Sequence, residues 1–392
     1  MWKSIASNAL TFFVVVLIAI AALVAWGRNE FVKPGPLTGP ICLQVESGAS
    51  LSAVSRNLEE RGAISDARIF RIGAEYSDRA DDLKFGSYML PAGASMSEVL
   101  EAITASGRST CGMLVSFRIG VSKSDVVLSE RDLSTDSFVE KARFDAGADP
   151  LPPEYLAVVE DPALNFQITV AEGVTSWQIA DALGKADFLT GTVEAVPPEG
   201  TLAPGSYEAK RGTDRAGLIS QMTDRQTEIL ATAWANRAEV LPYDTPEEAL
   251  IMASIVEKET GVAEERGLVA SVFVNRLQQG MRLQTDPTVI YGITEGEGVL
   301  GRGLRQSELR RETPYNTYVI DGLPPTPIAN PGAEAIRAAM NPEETDYLFF
   351  VADGTGGHAF ARTLEEHNEN VTRWRTIEAE QGTEGETSVQ GE

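Results

Sequence analysis

Histidine and cysteine are nearly missing from this chain, which has two of each in 392 residues. With so few imidazoles and thiols, and no HExxH or CxxC spacing, a zinc centre built from its usual ligands is excluded. No metal or other cofactor is expected. Positive charge is also scarce: 33 Lys and Arg stand against 57 Asp and Glu, a net charge of -24. No basic stripe interrupts that excess, so a phosphate-binding surface for nucleic acid is excluded as well. There is neither a P-loop nor a GxSxG nucleophile elbow, which removes two common catalytic chemistries. Apolar residues are not lacking. At 43% hydrophobic and 23% charged, the chain has a globular composition and enough length for two or three cores.

One long apolar run opens the sequence. From Ala6 to Trp26 no side chain is charged, and about 20 such residues suffice to cross the ~30 Å hydrocarbon layer as a helix. A cleaved signal peptide has a shorter apolar core, roughly 7–15 residues, that ends at a small-residue cleavage site. Here the run ends at Ala25-Trp26-Gly27, with Trp2 and Trp26 placed as interfacial anchors. Residues 1–30 are therefore expected to form an uncleaved transmembrane anchor. Its flanks orient it poorly, since Lys3 precedes it and Arg28 and Lys33 follow. Cys42 and Cys111 both lie beyond it, and an oxidising compartment would allow them to pair. Two buried free thiols are the alternative, and sequence does not test the geometry that decides between them.

After the linker KPGPLTGP (33–40), one pattern occurs twice. LQVESGASLSAVSRNLEERGAIS (43–65) and ITVAEGVTSWQIADALGKADFLTG (168–191) each show a β-branched run, a Gly turn, a capping Ser or Thr and an amphipathic helix. Further on, Gly86, Ser87, Tyr88 and Gly93 match Gly205, Ser206, Tyr207 and Gly212 at one offset of 119. The shared register predicts a duplicated β-α-α-β-like unit over 41–113 and 164–230. Between them lies a connector, 114–163, whose polar stretch from 120 onward shows no assignable fold. From Asp244 onward the pattern changes to long helices. Thr245-Pro246-Glu247-Glu248 is a capping box with Pro at the first helical position. A second helix is expected over 265–279, then a loop-rich stretch over 282–332, a helix at 333–340, the strand YLFFVAD, the turn GTGGHAF and a last helix to 378. The tail 379–392 has no apolar run and is expected to be disordered.

Carboxylates are the chemistry that remains. ASIVEKETG (253–261) sets Glu257 and Glu259 inside an apolar helix. On a wheel with Ile255 at zero, Glu259 falls at about +40°, inside the apolar arc, and Glu257 at about -160°, beside Leu250 and Ala253. A carboxyl pressed among apolar groups keeps its proton to higher pH, which suits Glu259 to act as a general acid. Its bland reading is a helix-end glutamate that snorkels or pairs with Lys258 or Arg266. The loops RLQTDPTVIYG (282–292) and ETPYNTYVIDGLPPTPIANPG (312–332) gather amides, hydroxyls and aromatics suited to a polyol substrate. Gln284, Thr285, Asp286, Tyr315, Asn316, Thr317 and Tyr318 are the substrate-binding candidates. Core packing for the tyrosines and a turn role for Asn316 are the competing readings.

ASIVEKETG, VFVNRLQQGMRLQTDPTVIYG, TPYNTYVIDGLPP and FVADGTGGHAF together resemble the endolytic murein transglycosylases, the MltG (YceG-like) family. The resemblance implies an α+β fold with an N-terminal transmembrane helix, LysM-like α/β modules and a mainly helical, lysozyme-superfamily-like catalytic domain over 244–378. It implies a single-pass inner-membrane enzyme with most of the chain in the periplasm and cell-wall synthases as partners. Such an enzyme cuts nascent glycan strands internally, between N-acetylmuramic acid and N-acetylglucosamine, and leaves a 1,6-anhydro end. Glu259-Thr260-Gly261 is similar to the Glu-Ser-Gly-like helix ending of lysozyme-superfamily transglycosylases. Carried over, Glu259 would protonate the glycosidic oxygen and then take the proton of the muramoyl C6 hydroxyl. Asp286 would be a loop organiser or substrate contact and Glu257 a bystander. A non-catalytic peptidoglycan-binding scaffold and a hydrolytic muramidase are the alternatives. The connector and the acidic tail depart from the family pattern.

Overall fold

The computed structural model describes residues 2–387 apart from 47, 85, 106–110, 133, 134, 136, 162 and 163. The chain divides into two compact units, one of residues 1–115, 128–142 and 152–165, the other of residues 116–127, 143–151 and 166–392.

In the first unit the helix Trp2–Val32 carries a 22-residue apolar segment, Thr11–Val32, of mean hydropathy 2.2 with none of it buried. Near its end Phe31 lies against Gly73, where an added methyl group would strike the ring. Then come the strand Ile41–Val45, the helices Leu51–Glu60 and Ala67–Tyr76, the strand Gly86–Leu90 and the helix Met96–Thr104. Short polar residues start these helices. Ser50 accepts from the Ala53 amide, Asp66 from those of Arg68 and Ile69, and Ser95 and Glu98 close a capping box. Leu43, Val54, Leu58, Phe70, Leu90, Val99 and Ile103 fill the core between helices and strand pair. Each such side chain contributes about 1.5–3 kcal/mol on burial. Cys42 and Cys111 are bonded to each other, their Cα atoms 5.8 Å apart, which replaces the free-thiol alternative.

The offset between the two Gly-Ser-Tyr segments has a structural counterpart. Val45 pairs with Gly86 and Leu43 with Tyr88 in one antiparallel ladder; Val170 pairs with Gly205 and Ile168 with Tyr207 in the other. The Tyr88 hydroxyl donates to the Lys84 carbonyl at 3.0 Å, and that of Tyr207 to the Ala203 carbonyl at 2.5 Å. Gly93 and Gly212 take φ of 71° and 87°, which a side chain would oppose. The copies differ between their strands. The second has one helix, Ser176–Lys185, rather than the two expected, because Pro197, Pro198 and Pro204 keep the following stretch from turning helical.

The connector is not without fold. Ser124–Asp132 and Ser137–Asp145 are strands in a five-stranded sheet whose order is Ser137–Asp145, Ser124–Asp132, Met113–Ile119, Asn165–Val170, Gly205–Ala209. Val126, Val127 and Leu128 are buried in succession, so the alternation that marks a half-buried strand is lacking. The edge strand is mostly exposed and charged.

In the second unit the helices Arg215–Ala235, Arg266–Gln278 and Ala333–Met340 pack on Pro246–Glu259. Every residue from 249 to 256 is buried, including Leu250 and Ala253. The wheel set those two on a far face, but a helix covered on all sides is apolar all round. The loop-rich stretch contains two further short helices, Asp286–Thr294 and Gln306–Leu309. A hairpin of Phe349–Ala352 and His358–Ala361 precedes the last helix, Leu364–Thr387. That helix continues past residue 378 into the segment expected to be disordered and reaches Thr387 despite Gly382 and Gly385. The remainder, 388–392, lies outside the described residues.

Candidate active site

Glu259 is the last residue of a helix fixed at both ends. At its start the Glu248 amide donates to Thr245 Oγ1 at 3.2 Å and the Thr245 amide to Glu248 Oε2 at 3.3 Å. In its middle the buried Ser254 hydroxyl accepts from the Ile328 amide at 3.0 Å, which ties the proline-rich loop down. At its end Thr260 turns extended. The Glu259 side chain opens on a cavity of about 390 Å³ with polar groups from Arg276, Gln284, Asp286, Tyr318 and His367. Phe273, Leu283, Phe349, Phe350 and Leu364 form its apolar wall.

Burial pushes the Glu259 carboxyl above its ordinary value, and the charge of Asp286 pushes the same way. A hydrogen bond from Thr285 Oγ1 to Glu259 Oε1 opposes this, as do the charges of His358 and Arg276. The result is a carboxyl that keeps its proton to higher pH than a solvated glutamate and still has a partner for its ionised form. Asp286 is the second carboxylate of the cavity, and its Oδ1 accepts from the Tyr318 hydroxyl at 2.7 Å. Burial, that bond and nearby negative charge hold the Tyr318 proton in place. Arg276 donates from Nε to the Leu348 carbonyl at 2.6 Å and from Nη1 to that of Leu283 at 2.7 Å. It thereby joins the hairpin to the loop carrying Gln284.

The sequence candidates separate into two layers. Glu259, Gln284, Asp286 and Tyr318 line the cavity, and Thr285 touches Glu259 from behind. Asn316 and Thr317 do not reach it: both are fully buried. Asn316 Nδ2 donates to the carbonyls of Glu308, Leu309 and Arg311, and its Oδ1 accepts from the Tyr318 amide at 3.0 Å. Thr317 Oγ1 accepts from the Thr285 amide at 3.0 Å. Their polarity is consumed in holding the two loops together, a structural duty that composition does not separate from substrate contact. Tyr315 is also outside the cavity, its hydroxyl 2.8 Å from Thr326 Oγ1 and its ring against Tyr291. Arg276, Phe349 and His367 are lining residues that the sequence did not single out.

Glu257 is half-buried. Its Oε2 accepts from the Gly332 amide at 2.9 Å, and burial, with the charge of Glu172, pushes its pKa up to about 7 against that bond and Arg266 and Lys258. Lys258 Nζ donates to the Gly173 carbonyl at 3.2 Å, and burial pushes its pKa down. Glu199 is a third carboxyl raised by burial; it accepts from the Ser176 amide at 2.8 Å, Tyr291 Oη at 3.2 Å and Asn330 Nδ2 at 3.3 Å. Lys258 and Glu199 thereby tie the second repeat to the helix Pro246–Glu259 and to Tyr291 and Asn330. A perturbed pKa therefore does not select among the three glutamates, but the cavity does, since only Glu259 lines it. Among the described residues, no three of His, Cys, Asp and Glu gather as a ligand set for a metal ion.

A sequence profile of the YceG-like family matches residues 43–151 and 152–373, well over half of the chain. The chain belongs to the YceG-like family. The family match takes in both repeats and every residue that lines the Glu259 cavity. A relative from Bacillus subtilis named endolytic murein transglycosylase is 27% identical over 329 residues, 83% of this chain and 82% of that protein. One of the same name from Streptococcus pneumoniae is 29% identical over 351 residues, 84% of this chain and 58% of that protein. The chain thus spans a little over half of the pneumococcal relative. A crystal structure of a putative yceG-like protein, lmo1499 from Listeria monocytogenes, shares 26% identity over 84% of this chain and 98% of that one, with a TM-score of 0.43.

Proposed function

We propose that this protein is an endolytic peptidoglycan lytic transglycosylase with Glu259 as general acid and then general base. The observation that carries the proposal is a carboxyl whose pKa is raised by burial, at the wall of a polar cavity, in a chain whose relatives are named for this activity. The neutral Glu259 donates its proton to the oxygen of the bond between N-acetylmuramic acid and N-acetylglucosamine, and that bond breaks at C1. The carboxylate left behind keeps the Thr285 bond and takes the proton of the muramoyl C6 hydroxyl. That oxygen attacks C1 and closes the 1,6-anhydro ring. No water is consumed, so no second carboxylate is needed to activate one or to form a covalent intermediate. Asp286, already engaged by Tyr318, orients the loop and a substrate hydroxyl. Gln284 and Tyr318 contact sugar substituents, while Thr285, Asn316 and Thr317 support them from behind.

The rest of the reading follows the family. The first repeat, with its β-α-α-β order, is a LysM-like glycan-holding module, and the helical part of the second unit is the lysozyme-like catalytic domain. The N-terminal helix is an inner-membrane anchor, and a bonded Cys42–Cys111 pair suits a periplasmic location. Nascent strands beside the cell-wall synthases are then within reach. The test is product mass, with the purified full-length protein given glycan strands. Transglycosylation yields ends lighter by one water than those of hydrolysis. Reducing muramic acid ends would make the protein a muramidase, and sacculus binding without any product would make it a scaffold.

A further inference from the structure

His367 sits in the second turn of the helix Leu364–Thr387 and lines the Glu259 cavity. Its ring stacks on Phe349, with centroids 5.2 Å apart and planes 26° from parallel. The same Phe349 ring holds the Arg276 guanidinium 5.1 Å from its centroid. The imidazole is therefore fixed by packing. Its Nδ1 is buried and has no hydrogen-bond partner among the described residues. Burial and the charge of Arg276 both lower its pKa, which favours the neutral ring. A neutral imidazole carries one N–H. On Nδ1 that N–H would be buried without an acceptor, the rarer and costlier arrangement; on Nε2 it leaves only an unused lone pair inside. The second histidine differs, since Nδ1 of His358 is bound to Glu265 Oε2 at 2.7 Å.

We propose that His367 is a substrate-contacting residue of this cavity, a packed ring whose Nε2–H donates to an acceptor oxygen of the bound N-acetylated saccharide. This rests on reading the Glu259 cavity as the place where glycan binds. It adds to the transglycosylase reading a donor that carries no charge and is held on a different element from the loops bearing Gln284, Asp286 and Tyr318. Such a donor suits a carbonyl or hydroxyl oxygen of a sugar substituent and leaves Glu259 the sole proton donor in the reaction.

The chain's two histidines make the test selective. Full-length Glu259→Gln protein in detergent micelles is labelled with 15N-histidine and titrated with a tetrasaccharide of alternating N-acetylglucosamine and N-acetylmuramic acid. The free protein is expected to show His367 protonated on Nε2, and saccharide is expected to move that nitrogen while the His358 ring stays in place. In the otherwise native protein, His367→Phe keeps the stack and loses the donor. It should raise KM about tenfold with a smaller change in kcat, and His367→Gln, which retains a donor, should raise it less. Saturable binding with an unmoved His367 ring, or an Nδ1–H tautomer, would overturn this proposal and leave the cavity reading intact. Strand cutting by the Glu259→Gln protein would overturn the cavity reading itself. A His367→Phe protein that fails to fold leaves the titration as the deciding measurement.

Discussion

Reducing the Cys42–Cys111 bond should loosen the first unit by a calculable amount. The two residues are separated by 69 positions. Cross-linking a loop of that length removes unfolded-state entropy worth about 4.4 kcal/mol at 25 °C in the chain-entropy treatment, within the range of about 2–5 measured for native disulfides. Cys42 lies in the strand Ile41–Val45, paired residue for residue with Gly86–Leu90, so the slowest amides of that ladder report the opening of this unit. At about 1.4 kcal/mol per decade, their exchange should quicken roughly a thousandfold in reductant. Hydrogen exchange with peptide-level mass spectrometry, on oxidised and reduced protein of one sequence, avoids the cost of placing a new side chain at Cys111, which is 3% exposed. A Cys42→Ala, Cys111→Ala protein should ignore reductant. Ladder amides whose exchange is equally slow in both redox states would refute the reasoning, because the bond would then not limit opening.

Three further outcomes follow from single contacts. Thr285→Val removes the donor to Glu259, a bond to a charged group worth about 1.5–3 kcal/mol. The ionised carboxyl loses support and its pKa rises further, so the alkaline limb of the pH–rate profile should move to higher pH; a move to lower pH contradicts the assignment. Glu257 is a half-buried acid raised from 4.5 to about 7. Its folded-state pKa lies above its unfolded one, so wild-type stability falls as pH rises between those two values. Glu257→Gln should therefore melt higher than wild type at pH 8, by up to about 3 kcal/mol, and equally at pH 4; a lower melting point at pH 8 rejects this. Gly200 has φ of 84° and a Cβ there would lie 2.7 Å from Pro327 Cγ. Gly200→Ala should cost about 1–3 kcal/mol in thermal unfolding, and an unchanged melting temperature rules the strain out.

What was legible in the sequence was local. The capping box at Thr245, the capping Ser or Thr of each repeat, the repeated Gly-Ser-Tyr register and the apolar N-terminal run depend on neighbours within a few residues, and each appears in the structure. Glu259 stood out because an acid on an apolar arc is a local conflict. The same wheel misjudged Glu257, since periodicity records one buried face and this helix is covered all round. Asn316 and Thr317 drew attention for the right composition and the wrong reason, their polar groups being spent on loop carbonyls and amides. Arg276 and His367 went unnoticed because nothing near them in sequence points to a cavity assembled from two helices, two loops, a hairpin and the last helix. The hairpin of Ser124–Asp132 and Ser137–Asp145 was hidden by a strand buried on both faces, which lacks alternation.

The most direct test of the central claim compares two proteins that differ in which of two nearby glutamates is neutralised. Purified full-length Glu259→Gln and Glu257→Gln are given the same glycan strands, with anhydro-muropeptide release followed by mass spectrometry. The account predicts no release by folded Glu259→Gln and release close to wild type by Glu257→Gln. Release by Glu259→Gln, or its loss only in Glu257→Gln, would contradict it.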